Sequence, residues 1–239
     1  MFKLTLLLTI ALVMSAPAFA LGDKVPAPVR LDTDVIHSLV TDVADDCLVG
    51  NPNGVYFAIP DWIWGAEIYT YLFDPMDTCD CAAGLEVQTL HMIVQFGAED
   101  VPATFDVFVD IGAAVWDDAS GCWQPGPATC STEINQITVE NAGLYDIAVS
   151  VDDCACMEMV HQYSISYNFV TAFSSNPDIV TDQFPSSCTS WNDYGLGWFD
   201  LVEDFGYPGN LLMWADSECC ESPVGNADAS WGGVKSLYR

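Results

Sequence analysis

The sequence predicts an all-β protein, specifically an antiparallel β-sandwich of jelly-roll-like architecture that is stabilised by disulfide bonds. Three observations lead to this prediction. Apolar and polar residues alternate in runs separated by Gly, Pro, Asn and Asp turns. Ten cysteines are present, enough for several disulfide bonds. Helical and strand patterns do not alternate along the chain, which argues against a parallel α/β sheet.

The first twenty residues have the three parts of a secretory signal peptide. Lys3 supplies the positive n-region, Leu4 to Met14 is the apolar core, and Ala18-Phe19-Ala20 is an A-x-A cleavage site. The apolar run is shorter than the ~20 residues of a spanning helix, so we expect no membrane insertion. The predicted location is secreted, extracellular or cell-surface, with the periplasm as an alternative. The lack of an N-x-[ST] sequon is compatible with a bacterial exporter.

Residues 21–46 are predicted to form an N-terminal lead-in segment. The two apolar–proline steps in Val25-Pro26-Ala27-Pro28 indicate extended chain. Between Leu31 and Asp46 the apolar residues keep helical spacing, which favours a short amphipathic helix. Paired edge strands would also fit this segment.

Residues 47–239 are predicted to form a single β-sandwich domain. A strong turn at Asn51-Pro52-Asn53-Gly54 precedes the first clear strand, and period-two alternation recurs from there on. The predicted strands are Val55–Ile59, Trp62–Leu72, Leu85–Phe96, Phe105–Ile111, Ile137–Val139, Tyr145–Val151, Met157–Phe169, Leu211–Ala215 and Val234–Tyr238.

The even number of cysteines predicts five disulfides in an exported protein. Cys122 and Cys130 bracket a Gly/Pro-rich loop, so we expect them to pair locally. The Cys79-x-Cys81 and Cys154-x-Cys156 pairs are expected to bridge to one another, because neighbours two apart in a strand are poorly placed to bond. This leaves Cys47 and Cys188 to reach Cys219 and Cys220.

The charge balance restricts the partners of the protein. The chain has 34 acidic residues against five basic ones, a net charge of −29, and no Lys or Arg between Leu31 and Val234. Such a surface repels phosphate backbones and argues against nucleic acid as a partner. Adaptation to high salt is an alternative origin of the acidity.

Hard Ca²⁺ is the metal that fits this composition, because it prefers oxygen ligands in loops. The densest acidic turn holds Asp74, Asp77 and Asp80, which we take as candidate ligands. The spacing does not match an EF-hand loop. The alternative is that these residues are solvated turn aspartates.

An aromatic stretch is the candidate ligand-binding segment. Neutral sugars are bound by apolar ring faces together with a few placed polar groups. An alternative is that Trp191 and Trp198 close one end of the core. The candidate residues are Trp191, Asn192, Asp193, Tyr194 and Trp198 in a Gly-rich, loop-like stretch, with Trp123 between Cys122 and Cys130.

No catalytic motif stands out in the sequence. The chain has only three histidines, of which His91 and His161 fall in apolar surroundings and are predicted to be buried and hydrogen-bonded. The favoured hypothesis is a non-catalytic exported sandwich that binds glycan or another envelope component. The alternatives are a structural subunit of a self-associating extracellular assembly and a carboxylate-dependent hydrolase.

Overall fold

The computed structural model describes residues 24–31, 36–38, 47–63, 65–77, 79–81, 83–151, 154–158, 162–171 and 177–220. Within these ranges the chain forms β-strands and one turn of 3-10 helix, Pro75–Asp77, and no α-helix. The strands are β1 Val29–Arg30, β2 Ile36–Ser38, β3 Cys47–Gly50, β4 Phe57–Ile59, β5 Glu67–Phe73, β6 Leu85–Phe96, β7 Ala103–Asp117, β8 Cys122–Ser131, β9 Asn135–Val139, β10 Gly143–Ser150, β11 Tyr163–Phe169, β12 Asp178–Thr181, β13 Ser190–Asp193, β14 Trp198–Asp200 and β15 Met213–Cys219.

The strands form two sheets. Sheet A has the order β1-β4-β12-β6-β10-β2. Outside this order, β15 pairs with both β6 and β3. Sheet B has the order β14-β13-β5-β11-β7-β8, with β9 paired to β7. Among the described pairs only β2–β10 is parallel. The predicted antiparallel sandwich is therefore confirmed.

A large apolar core lies between the two sheets. It includes Leu90 and Met92 of β6 and Val107 and Ile165 of sheet B, all buried. Fully burying such a side chain contributes about 1.5–3 kcal/mol. The hydroxyl oxygen of Tyr167 on β11 lies 2.6 Å from the Leu90 and Ile147 carbonyl oxygens of sheet A, so a polar contact also joins the sheets.

The long alternating segments form strands where the pattern predicts them. The observed β6 has the predicted bounds, and β7, β9, β10 and β11 each overlap the predicted strand. Period-two alternation is reliable here because one face of each strand must meet the core. The predicted strand at Val234–Tyr238, the signal peptide and His161 lie outside the described residues.

Two predictions of local structure are wrong. Residues Ile36–Ser38, within the expected helix, form strand β2 on the edge of sheet A beside β10, which agrees with the edge-strand alternative for this segment. Helical and strand spacing are hard to separate in so short an apolar run. The segment between Cys122 and Cys130, expected to be a loop, is strand β8, with Pro125 and Pro127 tolerated because β8 lies at an edge of sheet B.

The number of disulfides is predicted correctly, whereas every predicted partner is wrong. Cys219 ends β15 opposite Leu85, where β6 begins, and this placement brings it to Cys81. Such neighbours depend on how the sheets stack, which the spacing of cysteines does not encode. The pairs are Cys47–Cys79, Cys81–Cys219, Cys122–Cys188, Cys130–Cys154 and Cys156–Cys220.

Buried carboxylates are satisfied largely by N–H groups. Asp182 is 1% exposed. Its Oδ1 accepts hydrogen bonds from the backbone N–H groups of Phe184 and Asn210, both 2.8 Å, and its Oδ2 accepts one from Asn51 Nδ2 at 2.9 Å. Lys24 and Arg30 are the only Lys or Arg residues within the described ranges. Few ion pairs are therefore open to the acidic residues of the sandwich.

Candidate functional site

Strands β7 and β8 form a hairpin whose tip leaves the plane of sheet B. The sheet order separates β8 from β13 by three strands, yet Cys122 at the start of β8 is bonded to Cys188, just before β13. The register of the hairpin shifts on both sides of Gly112. We infer that the hairpin bends at these irregularities and that its tip lies over the outer face of sheet B.

Glycines make this bend sterically possible. A β-carbon on Gly112 would lie 2.8 Å from the Pro127 carbonyl oxygen, and one on Gly126 would collide with the Ala113 carbonyl oxygen. The surface beneath the bend carries small hydroxyl side chains. Ser164 donates to the Gly112 carbonyl at 3.2 Å, and the hydroxyls of Thr70 and Ser166 are 2.7 Å apart.

The bent hairpin encloses a second, smaller apolar cluster on the outer side of sheet B. Its buried members are Leu72, Ala114, Cys122 and Trp191. Trp191 is only 3% exposed, and its Nε1 has no hydrogen-bond partner among the described residues. The structure therefore supports the alternative reading of Trp191 as a packing residue and leaves its ring inaccessible to a ligand.

Three further tryptophans lie on or beside this cluster, and we call them the tryptophan platform: Trp116, Trp123 and Trp198. Trp123 and Trp198 are half-buried and pack against the cluster. Trp116 faces Trp123 across the hairpin, with ring centroids 5.7 Å apart in an edge-to-face arrangement. Its side chain is 52% exposed, which is unusual for so large an apolar ring.

Polar groups stand next to the platform in the turn between β7 and β8. Trp116 Nε1 donates to Asp118 Oδ1 at 2.9 Å, which fixes the plane of the exposed ring. The Asp117 carboxylate accepts hydrogen bonds from the Ser120 hydroxyl at 2.7 Å and from Gln124 Nε2 at 3.1 Å. Hydrogen bonds from Ser120 and Ala119 lower the pKa of Asp117, so this group is ionised at neutral pH.

The other predicted aromatic and polar residues do not join this surface. The stretch expected to be a loop is largely the hairpin β13–β14. Asn192 is fully buried and donates to the Ile68 carbonyl at 3.1 Å. Asp193 closes the turn by accepting from Gly195 N at 2.7 Å, and Tyr194 stacks on Phe199 with centroids 4.9 Å apart.

The candidate calcium ligands are not brought to one point. Asp74 Oδ1 accepts from Met76 N at 3.0 Å in a local turn, and Asp77 ends the 3-10 turn that follows. Asp74 and Asp77 line a cleft of about 270 Å³, whereas Asp80 is exposed outside it. Among the described residues these three carboxylates do not form a tight cluster. Calcium binding at this turn stays a prediction.

His91 is buried as predicted, and two carboxylates hold it. Its Nδ1 lies 2.9 Å from Asp146 Oδ2 and its Nε2 lies 3.0 Å from Asp216 Oδ2. Trp214 stacks on the ring at 4.8 Å between centroids. Burial opposes the charged imidazole, but hydrogen bonds and charges of Asp146 and Asp216 outweigh it and raise the pKa of His91. With both nitrogens bonded, this histidine has no free lone pair to accept a substrate proton.

Trp116 is the site residue that sequence reasoning missed. One signal for it is present in the sequence: Trp116 and Trp123 flank an acidic turn, Asp117 to Cys122, so that a hairpin would pair the two rings. The glycine and prolines between Cys122 and Cys130 favour a loop there, and this hides the hairpin pattern in the sequence.

Comparisons with other proteins give no further guide to the function. No protein-family model matches the chain, and neither a curated protein nor a solved structure shows significant similarity to it. Among the described residues no helix is long and apolar enough to span a membrane. The five disulfides are consistent with a location outside the reducing cytoplasm.

Proposed function

We propose that this is a secreted or cell-surface protein, exported by its signal peptide, that binds neutral glycan without catalysis. The observation that carries the proposal is the tryptophan platform, with the exposed Trp116 ring held in place by Asp118. Flat aromatic rings suit the C–H faces of sugars, and the neighbouring carboxylate and amide groups suit sugar hydroxyls.

The charge of the protein favours a neutral ligand over an acidic one. At a net charge of −29 the protein repels anionic polymers such as teichoic acids or nucleic acids. Stacking on an aromatic ring needs no ligand charge, so the platform serves a neutral polysaccharide best. The Cys122–Cys188 bond presents the rings on a fixed hairpin, which lowers the entropy lost on binding.

A polysaccharide retention assay tests this function. The wild-type protein is passed over insoluble neutral polysaccharides and compared with W116A, W116A/W198A and the control L196A. Leu196 is 64% exposed in the β13–β14 turn and lies outside the platform. Each platform ring is expected to account for about 0.5–1.5 kcal/mol, or roughly a two- to tenfold change in affinity. Absence of wild-type retention on every neutral polysaccharide would contradict the proposal, as would W116A/W198A binding as tightly as L196A.

A further inference from the structure

A second site lies around the side chain of Lys24, beside Tyr194 in the β13–β14 turn. This side chain is 2% exposed, although it comes from the N-terminal lead-in segment. Its Nζ donates to Glu67 Oε1 at 2.5 Å and to the Trp62 carbonyl oxygen at 2.9 Å. Both acceptors belong to the body of the sandwich, so the lysine is inserted into a pocket that the body provides.

The walls of this pocket are aromatic rings. Nζ lies 5.0 Å from the ring centroid of Trp62 and 5.3 Å from that of Tyr194, within the range of cation–π attraction. Tyr207 and Phe205 pack edge-on behind Trp62, with centroids 5.0 and 5.2 Å away. We call Trp62, Glu67, Tyr194 and Tyr207 the ammonium cage.

The cage has the chemistry of a ligand site. Glu67 is 2% exposed, and its second oxygen accepts a hydrogen bond from the Tyr69 hydroxyl at 2.6 Å. A carboxylate buried in this way needs a cation as its partner. The Tyr207 hydroxyl is buried without a hydrogen-bond partner among the described residues, and an ammonium N–H is a chemically suitable donor for its oxygen. Burying an unpartnered hydroxyl is costly for packing alone, whereas a binding site retains such a group for its ligand.

The segment that carries Lys24 lies at the surface of the sandwich. Val25 is 76% exposed and Val29 is 54% exposed. The described backbone contacts of this segment are the two-residue pairing of β1 with β4 and a bond from Leu31 N to the Tyr56 carbonyl at 2.9 Å. Arg30 lies 4.7 Å over the Tyr56 ring, and Leu31 packs against an apolar cluster of sheet A. These contacts lie away from Glu67 and Trp62, so we expect them to hold the segment in place when the Lys24 side chain leaves the cage.

The geometry points to a primary-ammonium binding site that Lys24 fills in cis and that an external alkylammonium group can fill in its place. That group comes either from a free alkylamine or from the Lys24 segment of another copy of this chain. A primary ammonium fits because it donates to two separate acceptors, Glu67 and the Trp62 carbonyl, while its alkyl stem lies among rings. A tetraalkylammonium ion has no donor for either oxygen.

Chemical rescue of K24A tests the cage with n-butylammonium, which resembles the deleted side chain. The melting temperature of K24A is expected to rise by about 5–10 °C at a hundredfold excess over the Kd. n-Butanol and tetramethylammonium, which lack the charge or the donors, are expected to give less than a third of that shift. The wild-type protein, whose cage is already filled, and K24A/E67Q, which has lost the carboxylate, are expected to show no saturable shift.

Equal shifts with n-butanol and n-butylammonium, or no shift in folded K24A, would overturn the inference. If K24A does not fold, it is refolded with and without n-butylammonium. Recovery that requires the amine supports the site, and failure to recover while K24A/E67Q folds rejects it.

The source of the ammonium group is resolved with an acetylated peptide of residues 21–31. If this peptide rescues K24A at a concentration at least tenfold below n-butylammonium, and its Lys24→Ala version does not, the site takes the segment of another copy. If the two ligands act at similar concentrations, the site is specific for the ammonium group alone and takes free alkylamines.

Discussion

Replacing His91 with glutamine tests how this acidic protein keeps buried carboxylates. His91 lies on β6 between Asp146 of β10 and Asp216 of β15, and all three side chains are about 90% buried. A protonated imidazole donates one N–H to each carboxylate, so one cation serves two anions. A glutamine carries no charge and cannot reach both neighbours from the same position.

The expected cost of H91Q follows from this arrangement. Removing one partner of a buried ion pair costs about 3–5 kcal/mol, because a charge is left buried without compensation. Here two carboxylates lose their partner, although each keeps a small solvent contact. We therefore expect H91Q to lose about 3 kcal/mol at pH 6, a large part of the 5–15 kcal/mol typical of a domain.

The loss depends on pH in a defined direction. The pKa of His91 is raised in the folded protein, so the stability that it contributes is fully present below about pH 6.5. That stability is lost as the pH rises through the folded-state pKa. The difference between wild type and H91Q in urea unfolding is therefore largest near pH 6 and becomes smaller under alkaline conditions.

The assay is urea unfolding followed by tryptophan fluorescence at several pH values, with an NMR titration of the histidine ring signals. E86Q is the matched control, since Glu86 is an exposed residue of the same strand, and its effect is expected to be within about 0.5 kcal/mol. The reasoning is refuted if the signal lost in H91Q titrates below pH 6.5 in the wild type. It is also refuted if H91Q costs no more than E86Q.

Two further predictions concern the close backbone approach at Gly126 and the half-buried acid Asp178. G126A is expected to lower the free energy of unfolding in urea by about 1–3 kcal/mol, because a β-carbon would collide with the Ala113 carbonyl. The control is G54A, where a β-carbon would meet no atom within 4 Å, and its effect is expected to be nearly neutral. Equal effects of the two substitutions would contradict the bent hairpin. Burial and the nearby Asp100 raise the pKa of Asp178 to about 6, so its ionisation between pH 4 and 6 destabilises the fold. D178N is therefore expected to gain about 1 kcal/mol at pH 7 and nothing at pH 4 by the same unfolding assay, and an unchanged stability at pH 7 would refute this.

The strands of the sandwich were predictable because burial imposes period two on them. Val107, Val109 and Ile111 alternate with Asp106 and Asp110, and β7 presents them to the core and to the outer side. Short segments carry less pattern. The three residues of β2 are held by pairing with β10, so the spacing that favoured a helix was overruled by a tertiary contact.

The candidate site was predictable only in part. Trp123 and Trp198 are half-buried against the small apolar cluster, whereas Trp191 is buried because the β7–β8 hairpin bends over it. That bend depends on Gly112, Gly126 and the Cys122–Cys188 bond, which are far apart in the sequence and come together only in the fold. The ammonium cage was unpredictable for the same reason, because Lys24 and Glu67 are in contact only after the sheets have stacked.

Repulsion among like charges, at a net charge of −29, destabilises the folded state. We therefore regard the disulfides as the main source of its stability. Each is expected to contribute about 2–5 kcal/mol, so the five together are comparable to or larger than the 5–15 kcal/mol stability of an ordinary domain. The most direct measurement is the urea unfolding curve at 25 °C before and after full reduction and alkylation. We predict a cooperative transition for the oxidised protein and an unfolded chain at zero urea after reduction. A reduced protein that unfolds at the same urea concentration would contradict the account.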